Sequence, residues 1–498
     1  MLRVVALVLC STFLTASAAA ADASLHLAAL PAPGAPHASA PAFATSPDGA
    51  VYLSWLEPAG EAQAALRIAR YDAATGQWTA PHTIATTRAF ASDRTAPPQL
   101  AAANNGQLAA VWTTPPDAKN ISAWVSRSSD AGTTWSAPEP LTTASATVEF
   151  PAVALSPQGR AFSAWLDGRA HPGGPTQLSI RPLATGATAD AVDQRVCDCC
   201  APALLAFPDG SALVAYRDRS SEEVRDIAVA RFTDGEWSEP TPLNEDGWHL
   251  DGCPVDGPRL SAVGGHVAAI WFTAADHDPR VLTSFSPDAG ERFTMPQRVE
   301  LRRAVGRPDI VSLRDGTRVV SWIEAADPSE KRPATLYARR VSPQDELGEP
   351  VALAPANDVR ALGFPRLALV KDYDQTPAQV VAVYGTDDGL AATLLTLPPL
   401  SALAGRAPCA PCDEAEAAAA RGFALRGEVV SLTPARHTVL VKHDAIPGVM
   451  QAMTMEFTVD DATFRALAVG QTILGRIERR GRTWWLFAVK TIGAAQSS

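Results

Sequence analysis

The stretch PAFATSPDGAVYLSW, residues 41–55, contains a short apolar strand, a turn at Gly49 and a second apolar strand that ends in Trp55. The same pattern returns six times further along the chain, each time from a proline to an aromatic residue. The copies are PQLAAANNGQLAAVW (98–112), PAVALSPQGRAFSAW (151–165), PALLAFPDGSALVAY (202–216), PRLSAVGGHVAAIW (258–271), PDIVSLRDGTRVVSW (308–322) and the looser PRLALVKDYDQTPAQVVAVY (365–384). Self-similarity at this period indicates one structural unit used seven times.

The spacing of the copies predicts the architecture. Their final aromatics lie 51 to 62 residues apart, which suits four short strands per repeat. Six copies carry a glycine six residues before the aromatic, where it permits a left-handed turn, and Ala378 takes that place in the seventh. We therefore predict an all-β propeller of seven blades, with six blades as the alternative. We expect SLHLAAL (24–30) to supply the outer strand of the last blade and so close the ring.

A second motif lies between several repeats. SSDAGTTW (128–135) and SPDAGERF (286–293) fit the pattern S-x-D-x-G-x-x-[WF], and DAATGQW (72–78) and TDGEW (233–237) are degenerate copies. Over residues 25–400 the chain thus resembles the BNR, or Asp-box, propellers of the sialidase type. In that family the aspartate accepts backbone N–H bonds in a hairpin turn. The motif marks the fold and does not identify a catalytic site.

Catalytic residues of a sialidase are not matched. Such an enzyme needs an arginine cluster, a tyrosine–glutamate nucleophile and an aspartate acid/base. The nearest string to the family's F-R-I-P motif is Leu66-Arg67-Ile68-Ala69, inside a repeat strand. Arg217 and Arg225 could bind an anion, but we expect them to be solvated loop residues. We assign no catalytic residue, and a glycan-active or other hydrolytic propeller is the alternative function.

Composition and charge limit the remaining possibilities. A chain of 498 residues is long enough for two or more domains, and 47% apolar with 19% charged residues is typical of a globular protein. The net charge of −11 argues against nucleic acid as a partner. Residues 1–23 have the basic start, apolar run and small-residue end of a signal peptide. We expect an exported, periplasmic or secreted protein with no membrane span in the mature chain.

Six cysteines remain once Cys10 is removed with the signal peptide, and disulfides are their default state in an exported protein. Cys197, Cys199 and Cys200 in VCDCCAP and Cys253 in GWHLDGCPVDGP open the fourth and fifth repeats, so they can meet on one face. We expect Cys199 and Cys200 each to have a more distant partner. A metal site is the alternative, because thiolates suit Cu(I). The remaining pair, in PCAPCDE, is expected to form a short-loop disulfide or a redox-labile pair: Cys409 and Cys412.

The character of the sequence changes after residue 400. Residues 24–400 belong to the expected propeller, and residues 401–424, rich in alanine and proline, are typical of a linker. From 425 to 493 five segments alternate apolar and polar residues: GEVVSL, HTVLVKH, AMTMEFTV, QTILGRIERRG and TWWLFAVKTI. Five strands of this length predict a small OB-fold-like barrel.

Three of the chain's five methionines fall within HDAIPGVMQAMTM, residues 443–455. Strand alternation and the intervening turn allow His443, Met453 and Met455 to converge. Thioethers are soft, neutral ligands that bind Cu(I) or Ag(I) and hold Zn(II) poorly. The alternative is that these methionines only fill gaps in the core.

The same segment resembles the CusF-like periplasmic copper- and silver-binding domains over residues 427–493. The match is a histidine that closes a strand, followed after a loop by M-T-M-x-F, here Met453 to Phe457. The resemblance implies that His443, Met453 and Met455 are ligands. Where known members carry a tryptophan cap, this chain has Met450, as a fourth ligand or as a shield. It also implies copper handling or resistance, with a copper exporter or another periplasmic protein as partner and the propeller as docking platform.

Overall fold

The computed structural model describes residues 25–398 and 423–493, except 62, 89, 91–96, 116–121, 143–147, 170–173, 373–376, 435–436, 445, 447–449 and 481–482. The chain divides into two compact units, Met1–Leu403 and Ala404–Ser498. The expected signal peptide lies outside the described residues, as do Cys409 and Cys412 and all but the last two residues of the expected linker.

The first unit consists of seven consecutive antiparallel sheets, which confirms the seven-bladed propeller. Blade 1 contains β2 (Ser39–Thr45), β3 (Val51–Pro58), β4 (Ala64–Asp72), β5 (Gln77–Trp78) and β6 (His82–Thr87), and blade 2 contains β7 (Gln99–Ala102), β8 (Leu108–Thr114), β9 (Ser122–Ser128) and β10 (Glu139–Pro140). Blade 3 contains β11 (Val148–Leu155), β12 (Ala161–Asp167), β13 (Thr176–Pro182) and β14 (Asp190–Val196). Blade 4 contains β15 (Ala203–Ala206), β16 (Ala212–Arg217), β17 (Ile227–Thr233), β18 (Glu236–Trp237) and β19 (Thr241–Asn244).

The remaining blades close the ring. Blade 5 contains β20 (Arg259–Val263), β21 (His266–Thr273), β22 (Arg280–Ser286) and β23 (Gln297–Arg298), and blade 6 contains β24 (Ala304–Ser312), β25 (Arg318–Glu324), β26 (Ala334–Val341) and β27 (Val351–Ala356). Blade 7 contains β28 (Arg366–Lys371), β29 (Ala378–Thr386), β30 (Gly389–Leu397) and the N-terminal β1 (His26–Leu30). β1 pairs with β30 from His26 opposite Thr396 to Leu30 opposite Ala392. The first described strand therefore completes the last blade, as predicted.

The repeated aromatics all lie on the second strand of their blade and are buried. Each packs against the preceding blade: Trp322, for example, shares a core cluster with Ile270 of blade 5. Trp55 packs on Val381 and Val383 of blade 7, across the point where the ring closes. One large ring per repeat thus fills the space between neighbouring sheets.

The turns before these strands contain the expected left-handed glycines, with one change. Gly49 and Gly106 have φ of 91° and 72°, and a side chain at Gly106 would lie 2.8 Å from the backbone nitrogen of Ala131. In the fifth repeat Gly264, with φ of 60°, takes the left-handed position instead of Gly265. This repeat is one residue shorter before its turn, which moves the turn toward the N-terminus.

The second unit is a closed five-stranded barrel, as predicted. Its strands, in the spatial order β31-β32-β33-β35-β34, are β31 (Phe423–Thr433), β32 (Thr438–His443), β33 (Met453–Thr458), β34 (Thr472–Arg480) and β35 (Thr483–Gly493). A short helix, α1 (Asp461–Ala466), follows β33 and was not predicted. Asp460 caps it by accepting a 2.7 Å hydrogen bond from the Thr463 amide. No helix in the described parts of the chain is long and apolar enough to cross a membrane.

Candidate metal centre

His443 is the last residue of β32, between two neighbouring strands. Its register partners are Gly427 on β31 and Met453 on β33. A side chain at Gly427 would lie 2.9 Å from the His443 Cα atom and 2.7 Å from the Lys442 carbonyl oxygen, so only glycine lets β31 approach this closely. The imidazole packs edge-on to Phe457, with ring centres 5.9 Å apart, and is only 2% exposed.

The two ring nitrogens of His443 have different surroundings. Nδ1 lies 2.7 Å from the carbonyl oxygen of Asp444. Because a carbonyl only accepts hydrogen bonds, Nδ1 carries the proton in the neutral imidazole, and Nε2 then has a free lone pair. Nε2 is buried and has no hydrogen-bond partner among the residues that the structure describes. A buried nitrogen without a partner costs free energy, and a metal bond would offset that cost.

The three methionines lie on the strand next to β32 and on the loop before that strand. Met453 lies directly opposite His443, and Met455 lies opposite Val441, two residues along the same strand. Met450 is brought back toward β32 by paired main-chain bonds with Ile446, of 2.8 and 3.0 Å. Met450 and Met455 are half-buried against the barrel core, whereas Met453 is 49% exposed. The set therefore extends from the buried imidazole to the surface.

These donors define a narrow chemistry. An imidazole nitrogen and thioether sulfurs are neutral, and the sulfurs are soft. Such a site suits a monovalent soft cation, while a hard divalent cation would find no oxygen ligand in this set. The residues present therefore fit Cu(I) or Ag(I). The sequence indicated this set, but it could not reveal the unpartnered Nε2 or the close approach at Gly427.

The four propeller cysteines also meet, in the loops before β15 and β20. Cys199 and Cys253 form a disulfide with Cα atoms 6.2 Å apart. Cys200 has no such distant partner: its sulfur lies 3.0 Å from that of Cys197, and both thiols are free and buried. The hydrogen bond with Cys200 lowers the pKa of the Cys197 thiol to about 7. Burial raises the pKa of the Cys200 thiol well above its ordinary value.

Arg217 and Arg225 are buried, so the expectation of solvated loop residues was wrong. The Arg217 guanidinium donates to the carbonyl oxygens of Asp256, Arg225 and Phe272 at 2.6 to 2.9 Å. It also lies over the ring of Trp248, with 4.9 Å between the guanidinium carbon and the ring centre. Arg225 pairs with Glu223 at 2.6 Å. Main-chain carbonyls of three separate segments take the place of water around Arg217.

A cavity of about 750 Å³ is lined by the first strand of every blade. An ion pair between Arg259 and Asp309, 3.1 Å apart, lies in its wall. Arg366, also in the wall, is buried, and this burial lowers its pKa to about 9. Because the first strand of each of the seven blades contributes to the wall, the cavity results from the arrangement of the blades in a ring.

Several solved structures resemble the propeller at low identity. A protein of unknown function from Dyadobacter fermentans is 15% identical, with a TM-score of 0.45, over 74% of this chain and 98% of its own. A PL25 ulvan lyase is 14% identical, with a TM-score of 0.46, over 76% and 98%. The leech intramolecular trans-sialidase is 12% identical, with a TM-score of 0.38, over 72% and 84%. No curated protein matches the sequence.

Two family models match separate parts of the chain. Residues 50–250 match the BNR repeat-like domain, and they cover blades 1 to 4 almost completely. Residues 423–489 match the family described as copper binding periplasmic protein CusF, and they cover the barrel. The chain therefore joins a seven-bladed propeller that carries a BNR repeat-like domain to a C-terminal CusF-like copper-binding domain.

Proposed function

We propose that the barrel binds one Cu(I) ion, or Ag(I) in its place, through His443 Nε2 and the sulfurs of Met453 and Met455. The protein would handle copper in the periplasm, either as a buffer or as a carrier in copper resistance. The observation that supports this proposal is the buried Nε2 atom, which has its lone pair free and no partner among the described residues. Met453 is its register neighbour.

The hydrogen bond to Asp444 prepares the histidine for this role. It fixes the tautomer and the ring orientation, so the ion meets an imidazole that needs neither rotation nor loss of a proton. Thioether sulfur does not form disulfides, so this donor set persists where thiols are oxidised. Protons compete with metal ions for an imidazole nitrogen, so we expect acidification to release the ion.

The graded exposure of the donors suits a transferred ion. His443 is 2% exposed and Met453 is 49% exposed, so one ligand is accessible to an incoming partner while another stays fixed. A partner could replace Met453 first and then withdraw the ion from the histidine. We propose a copper exporter or another periplasmic protein as this partner, with the propeller as docking platform.

The test measures affinity in the full chain. Cys197, Cys200, Cys409 and Cys412 are replaced by serine, which removes the free propeller thiols and the expected linker pair as competing ligands. Cu(I) competition with a chromophoric chelator, under reducing conditions, then compares this chain with its Met453→Ala/Met455→Ala variant. We expect affinity to fall by more than about 100-fold, beyond the loss typical of a group that only supports a ligand. The matched control is Met295→Ala, which removes an exposed methionine of the propeller.

If the double variant binds Cu(I) as tightly as its parent, the methionines are core residues and the proposal is wrong. Met450→Ala then separates two geometries within the proposal. A large loss of affinity and a third sulfur neighbour in X-ray absorption of the parent chain identify Met450 as a ligand. A small loss with two sulfur neighbours identifies it as a shield over the ion.

A further inference from the structure

Cys197 and Cys200 form a pair that neither the barrel site nor the propeller ring explains. They are spaced C-x-x-C and lie in the loop between β14 and β15. Their sulfurs are 3.0 Å apart and 3.7 and 4.0 Å from the sulfur of Cys199. This spacing is common in metal-binding pairs, because one turn of chain brings both sulfurs to the same side.

Two buried arginines lie close enough to the pair to stabilise a thiolate. Arg217 and Arg225 both act electrostatically on the Cys197 sulfur, and both guanidinium groups are buried. Nε and Nη1 of Arg225 have no hydrogen-bond partner within the described ranges of the chain. Arg217 donates to uncharged carbonyl oxygens, whereas Arg225 is also paired with Glu223 at 2.6 Å. An anionic group beside Cys197 would therefore be stabilised here.

The Cys199–Cys253 disulfide holds the loop in place. It joins the loop before β15 to the loop before β20, and Cys253 is exposed while Cys197 and Cys200 are buried. Because Cys199 is used in the disulfide, the reduced sulfurs of Cys197 and Cys200 are the ones in this loop that can bind an ion. Because they are screened from solvent, oxidants reach them less readily than they would reach exposed thiols.

We propose that Cys197 and Cys200 form a second soft-metal site, in the propeller, which binds one Cu(I) or Ag(I) ion as a bis-thiolate. Both thiols release their protons to solvent as the ion binds, so the product carries a net charge of −1 that the arginines offset. Metal–sulfur bonds of about 2.3 Å require the sulfurs to separate by about 1 Å or more, which side-chain rotation can supply. This site is independent of the barrel site.

The experiment uses the full chain with the proposed barrel ligands and the other cysteine pair removed by His443→Leu, Met450→Ala, Met453→Ala, Met455→Ala, Cys409→Ser and Cys412→Ser. Ag(I) is the probe, because it is soft and does not change oxidation state under the assay conditions. We expect one Ag(I) per chain in equilibrium dialysis, with two sulfur neighbours in X-ray absorption. The added Cys197→Ser/Cys200→Ser exchange should remove this equivalent. Since the barrel ligands are absent throughout, the result does not depend on the proposed barrel function.

A second measurement keeps the test decisive if the serine variant folds poorly. Protein alkylated at harvest and digested without reduction should contain the Cys199–Cys253 disulfide and two alkylated residues, Cys197 and Cys200. Ag(I) loading should protect these two from alkylation at least tenfold. A Cys197–Cys200 disulfide in the harvested protein would overturn the proposal, and so would free thiols that take up no Ag(I).

Discussion

Buried nitrogens in the propeller and in the barrel have different surroundings. Four of the repeated tryptophans donate their ring N–H to a buried or half-buried carboxylate, as Trp322 does to Glu324 at 3.1 Å. Trp112 is an exception, because its ring nitrogen has no partner among the described residues. In the barrel, His443 Nε2 also has no hydrogen-bond partner among the described residues, and His443 does not belong to any repeat of the sequence.

The comparison teaches which buried polar group indicates function. The tryptophans recur at one position in successive blades, so their contacts serve the packing between blades. His443 occupies no repeated position, and its Nε2, which has no partner within the described chain, can offer a lone pair to a metal ion where the Trp112 N–H cannot. The free energy of unfolding should therefore depend strongly on the repeated tryptophans and weakly on His443. The predictions below test this contrast.

The largest effect is expected for Trp322→Ala. The ring is fully buried between blades 5 and 6, and its removal leaves a cavity and deprives the buried Glu324 of a donor. We expect the free energy of unfolding of the propeller to fall by about 3–5 kcal/mol. Hydrogen exchange of blade peptides across a urea series measures this. Leu301→Ala, at an exposed position, is the control and should change it by less than about 0.5 kcal/mol.

The pH dependence of stability should carry the signature of Asp256, which accepts a hydrogen bond from the Arg307 amide. Burial raises its pKa to about 6. Between about pH 4 and pH 6 the folded state therefore holds a proton that the unfolded state has lost, and stability falls as pH rises. Asparagine does not titrate, so wild type should lose up to about 3 kcal/mol relative to Asp256→Asn from pH 4 to pH 7.

Urea denaturation of both chains at the two pH values measures that difference. Asp130→Asn is the control with the opposite sign: hydrogen bonds from Thr134 hold the pKa of Asp130 at about 2. Its contribution is present above about pH 4 and is lost only as pH falls toward 2. A constant difference between wild type and Asp256→Asn over the whole range would show that Asp256 is ionised in the folded protein.

A smaller effect is expected at the barrel helix. Asp460→Ala removes the cap of α1 and should lower the local free energy of unfolding by about 1 kcal/mol, because the Thr463 amide loses its acceptor. Hydrogen exchange of the peptide that follows β33 measures this. Asp460→Asn keeps an acceptor and should restore most of the loss. An unchanged exchange rate in Asp460→Ala would mean that water replaces the cap without cost.

The smallest effect on stability is expected for His443→Leu. Leucine removes the unpartnered Nε2 but also the bond to Asp444, so the two changes nearly cancel and metal-free stability should stay within about 1 kcal/mol of wild type. Exchange of β32 amides measures this. The protection that Cu(I) adds to wild type should be absent from the variant. A loss as large as that of Trp322→Ala would make His443 a structural residue and remove the contrast.

The sequence predicted the parts of the molecule that repeat or alternate. Seven blades, the closing strand and five barrel strands follow from the spacing of Trp55 and its equivalents and from apolar alternation. Burial of Arg217, the last residue of β16, could not be predicted, because its side chain is held by carbonyls of segments distant in the sequence. The pairing of Cys197 with Cys200 was not predicted either, because a loop has no period. The helix α1 is too short for its pattern to differ from a turn.

The pairing of β1 with β30 affects how the protein folds. It joins the beginning of the propeller to its end, so the ring closes only after all seven blades have left the ribosome. Contacts this distant in sequence carry a high entropic cost and slow the search for the native state. Before closure β30 has an unpaired edge and Leu53 of the first blade is not covered by blade 7, and such exposed surfaces favour aggregation. Shortening the chain before residue 31 should therefore slow maturation more than it weakens any single contact.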